Sequence, residues 1–334
     1  MKYKIAVIEG DGIGKEVIPQ AIRVLKELDI DLSLVYAEAG YEVFKRRGVT
    51  VPEETIDILK HTDACLSGPM MTPPGIKGYR SASVTIRKIM DLYANIRPIK
   101  NYPGIRGLKD NVDLVIVREN TEGLYSGIEW RIGNQAYTLR VITHEKSYKV
   151  SEYAFKIALE RRKKVTFVTK ANIMRETCGL FRETVFEVSK KYKDVLVEEV
   201  FIDAMSMKLI QQPSEYDVVL CPNLFGDILS DEASVLVGSI GILPSANIGD
   251  TYAMFQPVHG TAPDIAGKNI ANPTAAILSA KMLLEYLGEK DKATLIEKAL
   301  ITVFKHKIFT RDLQGNYHTD KFTDKIIENL RKIL

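Results

Sequence analysis

The sequence has little of what marks several common classes of protein. Only three of its 334 residues are cysteine, at Cys65, Cys178 and Cys221, and none belongs to a CxxC pair. Such scattered thiols fit a reduced, cytoplasmic protein. No apolar run approaches the length that spans a bilayer, and the first one is interrupted too early to act as a secretory signal. The net charge of +3 gives no case for nucleic acid or an anionic membrane as a partner.

Several catalytic signatures are missing as well. The absence of HExxH, nucleophile-elbow and P-loop motifs argues against zinc proteases, serine hydrolases and nucleotidases. Residues 9–14 read EGDGIG, which is close to a dinucleotide fingerprint but has GxGxG rather than GxGxxG spacing. Asp29 or Asp31 only loosely supplies the acidic residue expected after a second strand. A tight turn from a strand into a helix beside a cleft explains these glycines at least as well.

The sequence does contain an α/β pattern. Hydrophobic residues make up 46% and charged residues 27%, an ordinary globular composition, and the length favours two domains within one body. Short apolar runs alternate with longer amphipathic segments, which predicts helices packed on a sheet. The strands are predicted at residues 4–9, 63–67, 113–118, 164–169, 195–203 and 217–221, and the helices at 14–27, 52–60, 151–161, 174–191, 227–237, 272–287 and 292–305.

Glycine and proline mark three predicted loops, at residues 68–78, 98–107 and 243–249. The second and third are natural places for the chain to cross between domains. Residues 135–146 alternate well enough to form one arm of a hairpin. An exposed arm of this kind often pairs with a partner subunit.

Two carboxylates in residues 223–231 (NLFGDILSD) form the first candidate site. If Asp227 opens a helix, Asp227 and Asp231 stack on one face, a turn apart. Their repulsion is costly unless a cation lies between them, and a hard divalent ion prefers such oxygens. Asp203, at the end of another apolar run, could reach the same ion. Alternatively, Asp227 is an N-cap and Asp231 a solvated acid in the first turn.

Arg87, Arg97 and Arg118 each lie beside apolar sequence. A guanidinium there needs a partner, and its planar fork matches a carboxylate. Three of them could hold a substrate with several carboxylates, although internal acidic partners or exposure explain any single arginine. Lys170 and Tyr125 are candidates for a proton acceptor and a proton donor, but both residue types are common on surfaces and in cores. Among the five histidines, only His259 lies in a loop dense with turn formers.

Together these segments resemble the family of β-hydroxyacid oxidative decarboxylases, which comprises the isocitrate, homoisocitrate and 3-isopropylmalate dehydrogenases. The resemblance covers nearly the whole chain, and its motifs follow the family's order. It implies a two-domain α/β fold with a large mixed sheet, not a Rossmann fold. Residues 1–98 with 249–334 would form the large, cofactor-binding domain, and residues 99–248 the small domain with the dimer interface. The motifs are EGDGIG (9–14), DLYANIRP (91–98), VRENTEGLY (117–125), KANIM (170–174), NLFGDILSD (223–231), PSANIGD (244–250) and HGTAPDIAG (259–267).

The resemblance also implies roles for the candidate residues. Mg²⁺ or Mn²⁺ would be held by Asp227, Asp231 and Asp203 of the partner subunit, in a homodimer or a dimer of dimers with shared active sites. Lys170 would accept the proton of the substrate hydroxyl, and Tyr125 would protonate the enolate left by loss of CO2. The polycarboxylate substrate would contact Ser81, Ser83, Arg87, Arg97, Arg118 and Asn172.

For the cofactor, the resemblance favours NAD. Asp264 would accept from the ribose 2′-hydroxyl and repel a 2′-phosphate, whereas NADP-using relatives place Lys and Tyr at the positions of Asp264 and Ile265. Arg311, where relatives usually carry another residue, weighs against this assignment. The other implied cofactor contacts are Ile13, Thr72, His259, Gly260, Thr261, Ala262 and Asn272.

Substrate preference rests on the polar pair Ser81 and Ser83. Their hydroxyls would lie unpaired against an isopropyl group, so isocitrate ranks first, homoisocitrate close behind, and isopropylmalate third. Gln256 and Thr169 depart from the Glu and His that relatives usually carry. A non-catalytic regulatory subunit is the competing interpretation, but such subunits tend to lose the catalytic groups or metal ligands that this chain retains.

Overall fold

One sheet runs through the whole molecule. The computed structural model describes residues 2–76 and 78–334; Met1, and Lys77 within the predicted loop 68–78, lie outside them. Strands and helices alternate along the described residues, which confirms the predicted α/β class. The strands are β1 (Tyr3–Ile8), β2 (Leu32–Tyr36), β3 (Ala64–Ser67), β4 (Ala94–Lys100), β5 (Asp113–Glu119), β6 (Glu129–Ile132), β7 (Gln135–Thr138), β8 (Lys164–Thr169), β9 (Leu196–Phe201), β10 (Val218–Cys221), β11 (Pro244–Ile248) and β12 (Ala253–Pro257).

Amphipathic helices cover both faces of this sheet. In α1, for example, the buried positions Val17, Ile18, Ala21 and Val24 recur at helical spacing. Among the described residues, no helix combines the length and apolarity needed to cross a bilayer. The helices are α1 (Gly14–Lys26), α2 (Tyr41–Arg47), α3 (Glu53–Lys60), α4 (Ala82–Ile89), α5 (His144–Leu159), α6 (Arg175–Ser189), α7 (Ile202–Gln211), α8 (Asn223–Val237), α9 (Thr274–Tyr286), α10 (Lys290–Lys305) and α11 (Thr319–Arg331).

The sheet is mixed in direction, as predicted. Its ten strands follow the order β2-β1-β3-β12-β11-β4-β5-β10-β8-β9. The strands on both sides pair in parallel, but β11 is antiparallel to β12 and β4, and β4 is antiparallel to β5. This central reversal distinguishes the sheet from the Rossmann order. The predicted domain boundaries fall within β4 and at the end of β11, which pair with each other, so the division into two domains stays a prediction.

The predicted loop at residues 243–249 is wrong. These residues contain β11, in which every residue is buried. Proline is tolerated at the first position of a strand, where Pro244 stands. The amide of Asn247 donates to the Met254 carbonyl at 3.0 Å, so a polar side chain is satisfied inside the sheet. The predicted loop 98–107 is wrong for the same reason over its first residues, because β4 continues to Lys100.

Two helix starts also differ from prediction. Helix α5 begins at His144 rather than residue 151, because the Thr143 side chain accepts the Lys146 N–H and caps it. The predicted arm 135–146 therefore ends early, and β7 pairs with β6 as a short exposed hairpin. Helix α8 begins at Asn223, four residues before its predicted start. Asp227 consequently lies in the second turn and is not an N-cap.

Strand β9 ends at Phe201, so the predicted strand 195–203 is two residues too long. Asp203 lies instead in the first turn of α7, a helix that was not predicted. Its sequence, IDAMSMKLIQ, follows the strand without a glycine or proline that would mark a boundary. The sequence likewise did not predict strands β2, β4, β6, β11 and β12 or helices α2, α4 and α11.

An ion-pair network joins the sheet to α9 and α10, and it makes stability depend on pH. Glu297 accepts from Lys100 and pairs with Lys281 at 3.0 Å. Burial opposes ionisation of Glu297, but the two lysines hold its pKa below the usual 4.5. A lowered folded pKa gives stability that is present above the unfolded pKa and lost as pH falls through the folded one. We expect Glu297→Gln to lower the free energy of unfolding by about 1–2 kcal/mol at pH 7.

Urea unfolding of the variant and the wild type at pH 7 and at progressively lower pH would measure this difference. It should shrink as pH falls through the folded pKa of Glu297. Glu285→Gln is the matched control, because Glu285 pairs with the same Lys281 at 3.0 Å but has a more exposed side chain. A destabilisation of Glu297→Gln that does not change with pH would contradict the assignment to an ion pair.

Candidate active site

Two strands and one helix bring opposite charges together. Asp227 projects from α8 toward Arg97 on β4 and Arg118 on β5. Its Oδ1 accepts from Arg97 Nη2 at 3.2 Å and from Arg118 Nη1, and its Oδ2 accepts the Tyr125 hydroxyl at 2.6 Å. Asp231, one turn further along α8, lies 3.9 Å from Arg97 Nη1 and has a side chain that is 63% exposed. The structure therefore brings together five predicted site residues.

Local packing explains how α8 comes so close to β5. A Cβ atom on Gly226 would lie only 2.8 Å from Arg118 Cβ, so this position needs a glycine. Asn223, in the first turn of α8, accepts from Arg118 through its side-chain oxygen. Tyr125 stands in a short 3₁₀ turn after β5, where the Arg118 guanidinium lies over its ring at 5.1 Å. The positions of Arg118, Asp227 and Tyr125 are thus set by the strand, helix or turn that carries each of them.

The arginines give this region a surplus of positive charge. Arg87, Arg97 and Arg118 are all buried, and Arg87 Nε has no hydrogen-bond partner. Burial and the neighbouring arginines lower the pKa of Arg87 to about 9 and that of Arg97 to about 10. The sequence also allowed that these arginines pair with acidic residues of the same chain. This is the case in part for Arg97 and Arg118, which both donate to Asp227. No ion pair is formed by Arg87 within residues 2–76 and 78–334, so it is free to meet an anion.

The pKa values of the two acids of α8 are shifted in opposite directions. Burial opposes ionisation of Asp227, but Arg118 and Arg97 hold its pKa below the usual range. Partial burial raises the pKa of Asp231, and the adjacent Asp227 adds to this effect. Burial and the bond to Asp227 also raise the pKa of Tyr125, which keeps its hydroxyl protonated. The site therefore offers a carboxylate, a phenol that can donate a proton, and an accessible second acid.

Lys170 and Asp203 lie apart from this cluster within one chain. They stand at the ends of the adjacent strands β8 and β9, and Lys170 Nζ lies 2.7 Å from Asp203 Oδ1. The bond to Lys170 lowers the pKa of Asp203, whose side chain is 68% exposed. In the part of the chain that the structure describes, no three His, Cys, Asp or Glu side chains are grouped to hold a metal. One chain thus supplies two separate groups of predicted catalytic residues.

The predicted serines lie at the start of α4, the helix that carries Arg87. Ser81 precedes the helix, and its hydroxyl oxygen accepts from Thr72 Oγ1 at 3.0 Å. Ser83 lies in its first turn and is partly exposed. Asn172 lies in the exposed turn after β8, beside Lys170. Ser83 is thus on the same helix as Arg87 and Ser81 is at its N-terminus, whereas Asn172 lies in the turn that follows Lys170.

Five of the predicted cofactor residues line one pocket of about 330 Å³. Its walls are mainly apolar, and His259 presents a buried Nε2 without a partner. Burial lowers the pKa of His259, and its Nδ1 lies 3.0 Å from the Gly260 carbonyl. The imidazole is therefore neutral, with Nδ1 as donor and Nε2 as a free acceptor. The five residues are Ile13, His259, Ala262, Ile265 and Asn272.

The remaining predicted cofactor residues lie around this pocket. The Thr261 carbonyl accepts the Ile13 N–H at 3.0 Å, which joins the loop after β12 to the start of α1. The glycines of residues 9–14 permit this contact, since a Cβ on Gly12 would meet that carbonyl at 2.1 Å. Gly260 and Asp264 are exposed on the same loop, and Thr72 is exposed on the loop before α4.

Sequence reasoning missed several residues that organise these pockets. Asp312 accepts from Asn272 Nδ2 at 3.0 Å and from Ser239 Oγ at 2.6 Å, which fixes one wall of the apolar pocket. Ser230 accepts from Arg97. These residues are distant in sequence from the groups they hold, so no motif spacing could have revealed them. Asn223 was within a recognised motif, and its position one helical turn before Asp227 was an available signal.

The two positions that depart from the family pattern have different surroundings. Thr169 donates to Glu199 Oε1 at 2.7 Å and accepts from the Ala171 N–H, so its hydroxyl is satisfied. Gln256 is buried on β12, and its side-chain oxygen has no partner. The structure therefore shows how the threonine at position 169 is accommodated, but it does not explain the glutamine at position 256.

Comparison with known proteins identifies relatives over the full length. A family model described as isocitrate/isopropylmalate dehydrogenase matches residues 4–328. A 3-isopropylmalate/3-methylmalate dehydrogenase of Methanocaldococcus jannaschii is 48% identical over 99% of this chain and 99% of its own. An isocitrate/homoisocitrate dehydrogenase of Thermus thermophilus is also 48% identical, over 100% of both chains. The crystal structure of isocitrate dehydrogenase from Methylococcus capsulatus, 41% identical, matches with a TM-score of 0.96 over 98% of this chain and 99% of that one. Relatives with different substrates are thus equally similar to this chain.

Proposed function

Because this chain belongs to the isocitrate/isopropylmalate dehydrogenase family, we propose that it oxidises and decarboxylates a 2-hydroxy-3-carboxy acid with transfer of hydride to NAD. The observation that carries this proposal is the cluster of Arg87, Arg97 and Arg118 around Asp227 and Tyr125. Three buried guanidinium groups next to one ionised carboxylate leave a net positive pocket that suits a substrate with two or three carboxylates.

The donor set of α8 fits a divalent cation. Asp227 is ionised, and within residues 2–76 and 78–334 the exposed carboxylate of Asp231 has one ion pair, with Arg97 at 3.9 Å, so its oxygens are available. Two carboxylates with oxygens from the substrate and water are what Mg²⁺ or Mn²⁺ prefers. When bound, the cation would polarise the hydroxyl and later the carbonyl oxygen of the substrate.

The side chains of this chain supply the proton transfers in the proposed reaction. The free amine of Lys170 would accept the proton of the substrate hydroxyl. NAD, when bound, would supply the acceptor for the hydride of the same carbon. The neighbouring carbon then loses CO2 and is left as an enolate. Tyr125, protonated because its pKa is raised, donates the proton that completes the product. The buried arginines hold the carboxylates throughout and stabilise the negative charge that develops.

These roles require Lys170 and Asp203 to act on the same substrate as Tyr125, Asp227 and Asp231. We infer that two subunits combine to provide them. Within one chain, Lys170 and Asp203 pair with each other and not with the α8 acids. Asp203 of the partner subunit would join Asp227 and Asp231 around the cation. The exposed apolar side chains Met207 and Ile210 on α7 and Ile228 and Val235 on α8 suit a homodimer or dimer of dimers. Three buried free cysteines suit the reducing cytoplasm.

The apolar pocket beside His259 would accept the adenosine part of NAD. The free Nε2 acceptor suits the adenine amino group, and Asn272, fixed by Asp312, offers a second polar contact. Asp264 is exposed at the edge, where a carboxylate would accept from a ribose 2′-hydroxyl and repel a 2′-phosphate.

We expect the double variant Asp264→Lys with Ile265→Tyr to shift preference toward NADP by about 100-fold, because it replaces repulsion of the 2′-phosphate by attraction. Steady-state kcat/KM for NAD and NADP would measure this ratio. Lys268→Ala, an exposed charge change in the following turn, is the control and should leave the ratio within about twofold. An unchanged ratio in the double variant would refute the role of Asp264.

The substrate is proposed to be isocitrate first and homoisocitrate a close second. Ser81 and Ser83 at the start of α4 present hydroxyls near Arg87, which suits a third carboxylate better than the isopropyl group of 3-isopropylmalate. The deciding experiment compares kcat/KM for the three hydroxyacids with NAD and Mg²⁺ or Mn²⁺, with and without EDTA. Turnover that resists EDTA, or a chain that turns over none of the three, would overturn the proposal. The latter result would favour a regulatory subunit.

A further inference from the structure

In two of the three active-site arginines, the Nε atom donates to an asparagine amide, while a terminal nitrogen donates to Asp227. Arg118 donates to Asn223 Oδ1 through Nε at 3.1 Å and through Nη2 at 2.7 Å. Arg97 donates through Nε to Asn95 Oδ1 at 2.6 Å. In Arg118 the amide takes Nε and Nη2 and leaves Nη1 directed toward Asp227. In Arg97 the amide takes Nε alone, and Nη1 and Nη2 are directed toward Ser230, Asp231 and Asp227.

The amides themselves cannot rotate freely. The Asn95 amide nitrogen donates to Asn247 Oδ1 at 3.0 Å and to the Ala246 carbonyl at 3.3 Å. The Asn223 amide nitrogen donates to the Glu122 carbonyl at 3.1 Å. Because the NH2 end of each amide faces acceptors, its oxygen must face the arginine. Both asparagines are buried, and Asn247 is fixed in turn by its bond to Met254.

A neutral acceptor orients an arginine without cancelling its charge. A carboxylate at the same place would form a charge-assisted pair and reduce the attraction left for a ligand. Here the only carboxylate bonded to these guanidiniums is Asp227, in the part of the chain that the structure describes. The amides therefore supply direction while the positive surplus is kept for an incoming anion.

We propose that Asn95 and Asn223 are positioning residues that aim Arg97 and Arg118 at the carboxylates of the substrate while preserving their charge. The inference rests on the proposed function, since it assigns these residues to the binding of its polycarboxylate. It differs from a packing role because it depends on the charge of the side chain, not only on its shape.

Asn223→Asp and Asn223→Ala together test this dependence. Both remove the amide donor to the Glu122 carbonyl and to Glu119 Oε2, but only Asn223→Asp adds a charge. We expect Asn223→Asp to raise KM for the preferred hydroxyacid at least ~10-fold, with KM for NAD within ~2-fold. Asn223→Ala, which removes the acceptor without adding charge, should raise KM by a smaller factor, about threefold. Asn101→Asp is the matched control: the half-buried Asn101 amide donates to the Lys109 carbonyl at 2.9 Å and accepts the Val112 N–H at 2.7 Å, and it bonds to no arginine within residues 2–76 and 78–334. Its KM should change by less than about threefold.

Calorimetric binding of propane-1,2,3-tricarboxylate to the same variants separates this inference from the proposed function, because it requires no turnover. The expected order of affinity is wild type, then Asn223→Ala, then Asn223→Asp. Equal losses in the two Asn223 variants, or a loss in Asn101→Asp as large as in Asn223→Asp, would overturn the role of charge. Should Asn223→Asp fail to fold by circular dichroism, Asn95→Ser gives the second test, with a loss of binding of about threefold expected. A wild type that binds the tricarboxylate but oxidises no hydroxyacid would refute the proposed function alone; one that binds no tricarboxylate would refute both.

Discussion

Replacing Asp231 by asparagine is expected to reduce turnover at least ~1,000-fold while leaving the fold intact. The change removes one anionic oxygen from the cation site that we propose on α8. Stability should change by less than about 1 kcal/mol, because the Asp231 side chain is largely exposed and its one ion pair is long, at 3.9 Å. Measurements of kcat/KM over a range of Mn²⁺ concentrations, with a thermal unfolding curve, test both parts.

Glu232→Gln is the control for this experiment. It removes a charge of the same sign at the next position of α8, which points about 100° away around the helix axis. Its activity should stay within about twofold of the wild type. Full activity of Asp231→Asn would refute the metal assignment, and an equal loss in the Glu232 variant would attribute the effect to the general charge of the helix.

Mixing two inactive variants is expected to restore about a quarter of the wild-type activity if each active site joins two subunits. Tyr125→Phe and Lys170→Met should each be nearly inactive alone, since one lacks the proton donor and the other the proton acceptor. The Tyr125 and Lys170 groups lie apart within one chain, and Lys170 pairs with Asp203 instead. In a mixed dimer, one site would therefore lack both groups, and the other would have both intact.

The measurement needs differently tagged chains, co-expressed and separated so that the mixed dimer is isolated from the two parent dimers. A purified mixed dimer should have about half of the wild-type activity, and each parent less than ~1%. The wild type with both tags controls for their effect. No activity in the mixed dimer would show that Tyr125 and Lys170 serve the same chain, and would remove the proposal of a shared site.

The sequence predicted which residues lie together where those residues are close to one another along the chain. Asp227 and Asp231 were expected on one helix face, and the structure places them one turn apart on α8. Five of the residues predicted to contact the cofactor line one apolar pocket, and their role in binding it stays a prediction. In both cases helical periodicity or a tight turn relates neighbours in sequence to neighbours in space.

Prediction failed where the partner of a side chain was distant along the chain. The segment 243–249 has the composition of a loop, but its asparagine is satisfied by Asn95, which is more than 150 residues away in sequence and adjacent in the sheet. The hydrogen bonds from Asn272 to Asp312 and from Arg97 to Ser230 could not be predicted for the same reason. Boundaries such as the start of α5 were missed because a single capping threonine decides them.

The order of the motifs and the periodicity of the apolar residues were enough to predict the fold class and the family of this chain. Both features can be read from the sequence without coordinates. Only the tertiary structure decided that Lys170 pairs with Asp203 in one chain, that Arg87 has an Nε without a partner, and that asparagine amides accept from the Nε atoms of the other two arginines. These properties depend on the distances between strands and on burial. Both are set when β4, β5, β11 and α8 pack together, and the spacing of residues in the sequence does not predict them.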